Sequence, residues 1–263
     1  FSARMIPYRG AWIDFEFDAK DIAYVRIDRR RKMHATVLLR ALSYSAEELL
    51  NMYYKSEEFF IEARNKFEKS VVPELLIYQR ATKDIKHPKS GDTIVKKGRR
   101  FTKSAIEELS KIKGMKISVD AEDIVGRVTA HDIVDKKTGE VIVAVNEVIT
   151  EKNFEAILDS KIESIKLLYI DDLNIGPYLR NTLIADKVTT PEEAKLEIYK
   201  RLRPGDPATP EASSALFDNL FYNPERYDLS KVGRLKLNYK FGFDVPLEVG
   251  TLRKEDIVET VRY

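Results

Sequence analysis

The first readable pattern in the chain is an alternation of apolar and acidic side chains over residues 11–18. Ile13, Phe15 and Phe17 share one phase of this alternation. Because successive side chains of a strand point to opposite faces, a period of two predicts a half-exposed β-strand. Residues 22–28 repeat the pattern and are predicted to be the hairpin partner of that strand.

A helical pattern follows the hairpin. Ser45 and Glu48 have the spacing of a capping box, which marks a helix start. Apolar residues then recur at helical spacing, with a break allowed near Ser56. The residues of this predicted helical face are Leu49, Leu50, Tyr53, Phe60, Ala63 and Phe67.

Two more helices are predicted by start signals late in the chain. Thr190 precedes Pro191 and is followed by Glu193, and Thr209 precedes Pro210. The apolar faces of the two helices are predicted to be Leu196, Tyr199 and Leu202, and Leu216, Phe217, Leu220 and Phe221. Between them, residues 203–208 carry two prolines around a glycine, which predicts a stiff, exposed loop.

The middle of the chain contains an internal repeat. Gly91 and Gly139, 48 positions apart, each open a similar five-residue segment. At the same offset, without gaps, lie the pairs Phe101-Thr102 and Ile149-Thr150, Ile106 and Phe154, Leu109 and Ile157, Lys113 and Lys161, and Ile117 and Ile165. Each copy predicts a strand, a turn, a short helix with a Thr N-cap and a second strand. We therefore expect a duplicated small β-rich module, with copies at about 91–117 and 139–165.

Composition narrows the class of protein. The chain has 263 residues, 43% hydrophobic and 33% charged, enough for one large domain or two ordinary ones. The formal net charge is only +2, so any nucleic-acid surface must be a local patch. The absence of cysteine excludes disulfides and thiolate metal sites and fits a reducing compartment. No apolar run approaches the roughly 18–20 residues of a membrane span, which favours a soluble cytoplasmic protein.

Both ends of the sequence indicate a piece of a longer protein. The chain begins at Phe1 without an initiator Met, and residues 256–263 have a helical pattern without a stop signal. A processed or trimmed full-length protein is the alternative.

Candidate chemistry is sparse. His34, His87 and His131 lack the spacing of a helical metal site, and no nucleophile elbow or phosphate-binding loop occurs. The pair Asp171-Asp172 is better explained as a cap or turn than as paired catalytic carboxylates. We therefore predict no catalytic residue, no metal site and no cofactor in this chain.

Basic residues cluster twice. Residues 26–32 hold four arginines and a lysine, and residues 96–100 hold two lysines and two arginines. Arginine suits phosphate because its planar fork donates two parallel hydrogen bonds, but spacing alone favours solvated turns at both places. Trp12, the only tryptophan, fits either a core position or a platform on which an unpaired base stacks.

Several of these segments resemble the β subunit of bacterial DNA-directed RNA polymerase. They are residues 4–18, 25–32, 38–42, 172–178, 198–207, 216–222 and 225–234. The resemblance implies an α+β fold, in which a mixed lobe domain (1–54 and 169–263) is interrupted by an inserted, mostly β, duplicated module (55–168).

The resemblance also implies roles for individual residues. Trp12 matches a tryptophan that stacks on a base of the non-template strand. The gate loop at the DNA entry corresponds to Arg203, Pro204, Gly205, Asp206 and Pro207. Basic positions near DNA correspond to Arg29, Arg30, Arg31 and Arg226. The residues that complete a guanine pocket in the family lie beyond Tyr263.

The implied function is non-catalytic. The lobe forms a wall of the downstream DNA cleft, while the active centre and its Mg²⁺ lie elsewhere in the enzyme. The implied partners are DNA and the α, β′, ω and σ subunits, with regulators at the inserted module and no membrane, in the cytoplasm at the nucleoid. Two alternatives stay open: a protein-docking module that acts through the insertion, and an autonomous enzyme with an unrecognised site.

Overall fold

A computed structural model describes residues 2–77, 79–87, 91–112, 114–171 and 174–263. Within these ranges the strands are β1 (Ser2–Met5), β2 (Ile13–Phe17), β3 (Ala23–Ile27), β4 (Met33–His34), β5 (Ser56–Ala63), β6 (Lys66–Ser70), β7 (Ile85–Lys86), β8 (Thr93–Val95), β9 (Lys116–Val119), β10 (Ile133–Val134), β11 (Val141–Val143) and β12 (Ser164–Leu168). The helices are α1 (Ala35–Ala41), α2 (Ala46–Tyr53), α3 (Pro73–Leu76), α4 (Lys103–Ser110), α5 (Glu151–Asp159), α6 (Tyr178–Ala185), α7 (Pro191–Leu202), α8 (Pro210–Phe221), α9 (Ser230–Phe241) and α10 (Lys254–Arg262). Among the described residues, none of the helices is long and apolar enough to cross a lipid bilayer.

The sheets of the described chain are antiparallel, and the fold is of the predicted α+β class. The chain divides into two compact units. Unit 1 contains the residues up to Leu49 together with Pro177–Tyr263, and unit 2 is Leu50–Gly176.

The sheet of unit 1 has the order β1-β2-β3-β4. β2 and β3 pair from Ile13 opposite Ile27 to Phe17 opposite Ala23, which confirms the predicted hairpin. Ile13 is completely buried, whereas Phe17, at the far end of the hairpin, is 39% exposed. The buried side chains Ile13 and Phe15 of β2 therefore pack the sheet against the core of unit 1.

Two hydrogen bonds tie the early and late segments of unit 1 together. The hydroxyl of Thr182 on α6 accepts from the backbone N–H of Ala23 at 2.9 Å, and Arg40 Nη1 on α1 donates to the carbonyl of Thr189 at 2.9 Å. Helix α1 is buried over its whole length, so Arg40 Nη1 finds its acceptor within the protein.

The predicted starts of α7 and α8 are confirmed. Thr190 and Glu193 form a reciprocal capping box, and the Thr209 hydroxyl accepts from the backbone N–H of Ala212. The buried face of α7 differs from the predicted one, because it is formed by Ala194, Ile198 and Tyr199. Leu196 and Leu202 are only half-buried.

The predicted capping box at Ser45 and Glu48 is also confirmed, with hydrogen bonds of 2.7 and 3.1 Å. The prediction that this helix reaches Phe67 is wrong, since α2 ends at Tyr53 and β5 and β6 follow. Strand β5 pairs with β6 on one side and β12 on the other. This ladder, which joins residues about 100 positions apart, decides the conformation over the local helical spacing.

Unit 2 contains a sheet of order β12-β5-β6-β9 and the two-stranded sheets β7-β8 and β10-β11. Its apolar side chains form two separate clusters. One contains Phe59, Phe67, Val119, Ile124, Ile133, Val143, Ile149, Phe154, Ile157, Ile162, Ile165 and Leu167. The other contains Leu76, Ala81, Ile85, Val95, Phe101, Ala105, Leu109 and Ile117.

The two segments of the predicted repeat share several local contacts. Thr102 caps α4 and Thr150 caps α5, each by accepting from the backbone N–H three residues on, as predicted. Ile85 pairs with Val95 and Ile133 with Val143, so the correspondence also includes the preceding strands β7 and β10. The Asp84 carboxylate accepts from the N–H of Lys97 at 2.7 Å, and that of Asp132 from the N–H of Val145 at 2.6 Å. Lys113, one half of a predicted pair, lies outside the described residues.

Candidate nucleic-acid interface

Trp12 sits at the end of the β2-β3 ladder, one position before the first paired residue of β2. Its carbonyl accepts from the N–H of Asp28 at 2.9 Å, and its N–H donates to Asp28 Oδ1 at 2.8 Å. A side-chain carboxylate thus replaces the backbone acceptor that the ladder would otherwise supply. Trp12 is half-buried, and its backbone is fixed at the end of strands β2 and β3.

The segment after β3 places a cation on the Trp12 ring. Asp28 and Arg29 have φ of +49° and +57°, and the N–H of Arg30 donates to the carbonyl of Ile27 at 3.0 Å. The chain therefore makes a tight turn with two consecutive left-handed residues. The guanidinium carbon of Arg29 lies 4.4 Å from the centroid of the Trp12 ring, within the range of a cation–π interaction.

A second backbone contact joins the Trp12 loop to the segment before α9. The N–H of Arg9 donates to the carbonyl of Asp228 at 3.1 Å, and the N–H of Asp228 donates back at 2.7 Å. Gly10 has φ of +126°, and a Cβ there would lie 2.7 Å from the ring of Tyr227 and 3.0 Å from the carbonyl oxygen of Arg226. Only glycine allows this approach, which brings the backbone of Arg226 beside the Trp12 loop.

The turn after β3 faces the α7-α8 hairpin across an open groove of about 390 Å³. The groove is lined by Asp28, Arg29, Arg30, Leu202, Arg203, Leu216 and Leu220. Three arginines, one aspartate and three leucines therefore line the same groove. Three arginines against one aspartate make the local electrostatic potential positive.

The loop between α7 and α8 begins at the edge of this groove. Residues 203–207 are all exposed, and Gly205 has φ of +102°. The N–H of Asp206 donates to the carbonyl of Arg203 at 3.3 Å, and Arg203 Nη1 lies 3.9 Å from Asp206 Oδ2. Both of these side chains are more than half exposed, so the ion pair is weak and leaves Arg203 available to an anion.

The predicted site residues fall into three groups. Arg29, Arg30 and Arg203 line one groove, and Trp12 contacts Arg29. Arg226 is exposed on the segment that Gly10 approaches. Arg31 is exposed but is not among the residues that line the groove.

Asp28, which lies within the basic segment 26–32, is a site residue that the sequence analysis did not single out. The available signal was its position opposite Trp12, one step beyond the pair Ile13 and Ile27 in the predicted hairpin.

The comparisons with known proteins decide the family. The family model for RNA polymerase Rpb2, domain 2, matches residues 1–135 and 161–263. The chain belongs to this family. It is 57% identical over its whole length to the DNA-directed RNA polymerase subunit beta of Sorangium cellulosum and 56% identical to that of Anaeromyxobacter dehalogenans. That of Geobacter sulfurreducens is 54% identical, again over the whole chain. The chain spans only about one fifth of the length of these relatives, 19%, 20% and 19% respectively. The predicted resemblance to the bacterial β subunit is confirmed.

In this Rpb2 domain 2 chain, Asp171 and His34 make contacts that fit a structural role rather than a catalytic one. Asp171 Oδ1 accepts from the backbone N–H groups of Asn174 and Ile175 and so closes a turn, while Asp172 lies outside the described residues. The His34 ring stacks on Tyr24 with centroids 5.2 Å apart. Among the described residues no group of three His, Asp or Glu side chains could hold a metal ion.

The second basic cluster of the Rpb2 domain 2 chain lies at a turn of unit 2, where residues 96–100 are exposed. Lys97 is fixed through its backbone to the Asp84 carboxylate, and the carbonyl of Gly98 accepts from Arg80 Nη1 at 3.0 Å. These contacts fit the predicted solvated turn.

Unit 2 buries one ionised carboxylate. Glu57 is 1% exposed, Lys69 Nζ lies 2.9 Å from Oε1, and Arg127 Nη2 lies 2.7 Å from Oε2 in an ion pair without hydrogen-bond geometry. Burial by itself would raise the pKa of Glu57, but Lys69 and Arg127 outweigh it and the pKa is lowered. Burial, followed by the negative charge of Asp171, raises the pKa of Tyr169 to about 12.

Proposed function

We propose that this chain is a non-catalytic part of the β subunit of a DNA-directed RNA polymerase, where it forms a wall of the downstream DNA cleft. In this role it holds the non-template strand while the promoter opens. The observation that carries the proposal is the juxtaposition of Trp12, Arg29, Arg30 and Arg203 at one edge of unit 1. These residues supply both an aromatic surface and several guanidinium groups. Proteins use such groups to bind single-stranded nucleic acid without sequence specificity.

Each type of residue has its own part in this proposal. Arg30 and Arg203 contact backbone phosphates and set the position of the strand, because guanidinium forks match phosphate oxygens. Trp12 takes an unstacked base, an interaction worth roughly 1–3 kcal/mol. Arg226 and Arg31 add positive charge beside this surface. The polymerisation chemistry, with its Mg²⁺, belongs to other parts of the enzyme.

The loop of residues 203–207 acts in this proposal as a gate at the DNA entry. Its two prolines restrict the backbone, so it resists displacement better than a flexible segment of equal length. The partners of the chain are DNA and the α, β′, ω and σ subunits, and the assembly works at the nucleoid in the cytoplasm.

A polymerase assembled with the Trp12→Ala β subunit tests the central claim. The non-template base should lose its stacking surface, so open complexes should become about 5–150-fold less stable at equilibrium. Arg30→Ala and Arg203→Ala should each lower the slope of log affinity against log salt by roughly 1. Lys20→Ala, which removes one exposed cation at the opposite end of the β2-β3 hairpin, is the matched control. Open complexes of wild-type stability in the Trp12 variant would refute the stacking role.

Unit 2 carries a second candidate function, the docking of transcription regulators. The supporting observation is a groove of about 380 Å³ in unit 2, whose lining includes Arg80, Phe101, Arg127 and Tyr169. Phe101 and Tyr169 are themselves buried, so a docked protein would contact the exposed Arg80 and the half-buried Arg127, and arginine is enriched at protein interfaces.

The strand pairing suggests a clean deletion for this test. Ser56 pairs directly with Leu168, and the N–H of Tyr169 donates to the carbonyl of Lys55 at 2.8 Å. A two-residue glycine turn can therefore join Lys55 to Tyr169 in place of residues 56–168. Loss of regulator binding with normal promoter opening supports docking, whereas failure of promoter opening supports a role in DNA handling.

A further inference from the structure

We propose that Arg29 makes Trp12 a one-sided stacking platform, in which the guanidinium covers one face of the indole and an unpaired base takes the other. Arg29 is then a positioning residue for the tryptophan and not only a source of positive charge. This inference rests on the proposed function, since it concerns how the same surface receives a base.

The first observation is the contact itself. The Arg29 guanidinium lies 4.4 Å from the ring centroid of Trp12, close enough to occupy that face of the indole. Arg29 forms no ion pair among the described residues, so no carboxylate competes with the indole for its guanidinium. A planar guanidinium stacks on an aromatic face in a way that a lysine ammonium cannot.

The second observation is the backbone that delivers Arg29. Asp28 and Arg29 are consecutive left-handed residues, a conformation that favours Gly or Asn, yet neither position holds glycine. The Asp28 carboxylate accepts from the N–H of Trp12, and the N–H of Asp28 donates to the Trp12 carbonyl. The strained turn is therefore hydrogen-bonded to Trp12, the residue whose ring Arg29 covers. Backbone strain of this kind is concentrated at functional sites.

The consequence for binding is preorganisation. A ring whose backbone is fixed at the end of the β2-β3 ladder and whose one face is covered by a guanidinium has fewer orientations to lose when a base stacks on the other face. The base can then approach from one side only, and the cation behind the ring remains near the strand's phosphates. Arg29 thus fixes both the rotamer of Trp12 and the direction from which the strand enters.

The single tryptophan allows a direct test in the 263-residue chain. Because a second face of the indole becomes accessible, Arg29→Ala should raise the acrylamide quenching constant of Trp12 fluorescence about 1.5–2-fold. Arg29→Lys keeps the charge but loses the planar group, and it should behave like Arg29→Ala. If Arg29 acts only as a phosphate contact, both variants will quench like wild type, and that result overturns the inference. Lys20→Ala is again the control of equal charge.

A second pair of variants tests the strained turn. Arg29→Ala and Arg29→Gly both remove the guanidinium, but only glycine relieves the left-handed backbone. The Tm of Arg29→Gly should exceed that of Arg29→Ala by about 2–4 °C. Equal Tm values would contradict the claim that this turn is strained.

The assembled polymerase separates this inference from the proposed function. With 2-aminopurine at the unpaired non-template position, Arg29→Ala and Arg29→Lys should each weaken stacking about 2–5-fold, and Trp12→Ala should abolish it. If Trp12→Ala leaves the 2-aminopurine signal unchanged, the proposed function fails, whatever the quenching of Trp12 shows. If Trp12→Ala abolishes the signal but Arg29→Lys retains it fully, the proposed function stands and the one-sided platform is refuted.

Discussion

Arg234 and Asp256 form a completely buried ion pair in which Arg234 Nη1 donates to both carboxylate oxygens, at 2.8 and 2.9 Å. The other two guanidinium nitrogens also have acceptors, since Nε donates to the carbonyl of Val249 and Nη2 to that of Thr251. One arginine therefore joins α9, the following loop and the first turn of α10. This triple connection supports the segment that begins at Asp228, which holds the Trp12 loop.

Removing one member of this ion pair should lower the free energy of unfolding much more than replacing both members with apolar residues. Arg234→Ala leaves a buried carboxylate without a counter-ion and should lower the free energy of unfolding by about 3–5 kcal/mol. The double variant Arg234→Met/Asp256→Leu removes both charges and should be more stable than the single variant. Urea denaturation of the 263-residue chain measures both changes. A single variant within 1 kcal/mol of wild type would contradict the argument.

Gly10 should tolerate no side chain. Gly10→Ala adds a Cβ against the Tyr227 ring at a left-handed φ, and strain plus overlap should cost about 2–5 kcal/mol. Gly242 has a φ of +69° but open space around the Cβ position, so Gly242→Ala is the matched control and should cost only about 1–2 kcal/mol. The two unfolding free energies separate steric overlap from backbone strain. Equal costs would show that the approach to Tyr227 is unimportant.

Unit 2 should lose stability in acid through Glu57. The pKa of this carboxyl is lowered in the folded state from its ordinary value of 4.5. Its stabilising effect is therefore complete above about pH 4.5 and is lost as pH falls through the lower folded-state pKa. Glu57→Gln cannot titrate, so its unfolding free energy should depend less on pH between pH 5 and 3, although it is lower at neutral pH. Parallel pH profiles for the variant and wild type would argue against this role.

The two threonine caps of unit 2 should contribute equally. Thr102→Ala and Thr150→Ala each remove the acceptor for the backbone N–H of the third residue on, and each should cost about 0.5–2 kcal/mol. Thr102→Ser and Thr150→Ser keep the hydroxyl and should restore most of that stability. Hydrogen exchange of the amides in α4 and α5 reports each helix separately. A large loss at one threonine and none at the other would show that the copies are not energetically equivalent.

Sequence reasoning succeeded where the deciding interactions are local. The capping boxes at Ser45 and Thr190 involve residues three positions apart, so their spacing already specifies the hydrogen bonds. The 48-residue correspondence also predicted the matching threonine caps of α4 and α5, because a cap depends on residues three positions apart. The β2-β3 hairpin could be predicted for the same reason.

The incorrect or missing predictions concern residues whose conformation depends on contacts with residues far away in the sequence. Residues 56–63 have apolar spacing compatible with a helix, but strand pairing to β12, about 100 residues away, makes them a strand. The same holds for the site, where Arg203 lines a groove with Arg29 and Arg30 only because the late helices of unit 1 pack against its first stretch. The role of Asp28 depends on a turn with two left-handed residues, Asp28 and Arg29. The sequence does not predict this turn, because neither position holds glycine.

The division of unit 1 into two stretches has a consequence for its synthesis. After Leu49 leaves the ribosome, all of Leu50–Gly176 must follow before the helices that cover the first stretch exist. At roughly 5–20 residues per second this delay is about 6–25 s, long compared with the microseconds in which a hairpin forms. During that interval the surfaces of α1 and β3 that pack against α6 and α7 have no native cover. Nascent chains stalled between residues 50 and 176 should accordingly depend on chaperones more than chains stalled after Tyr263.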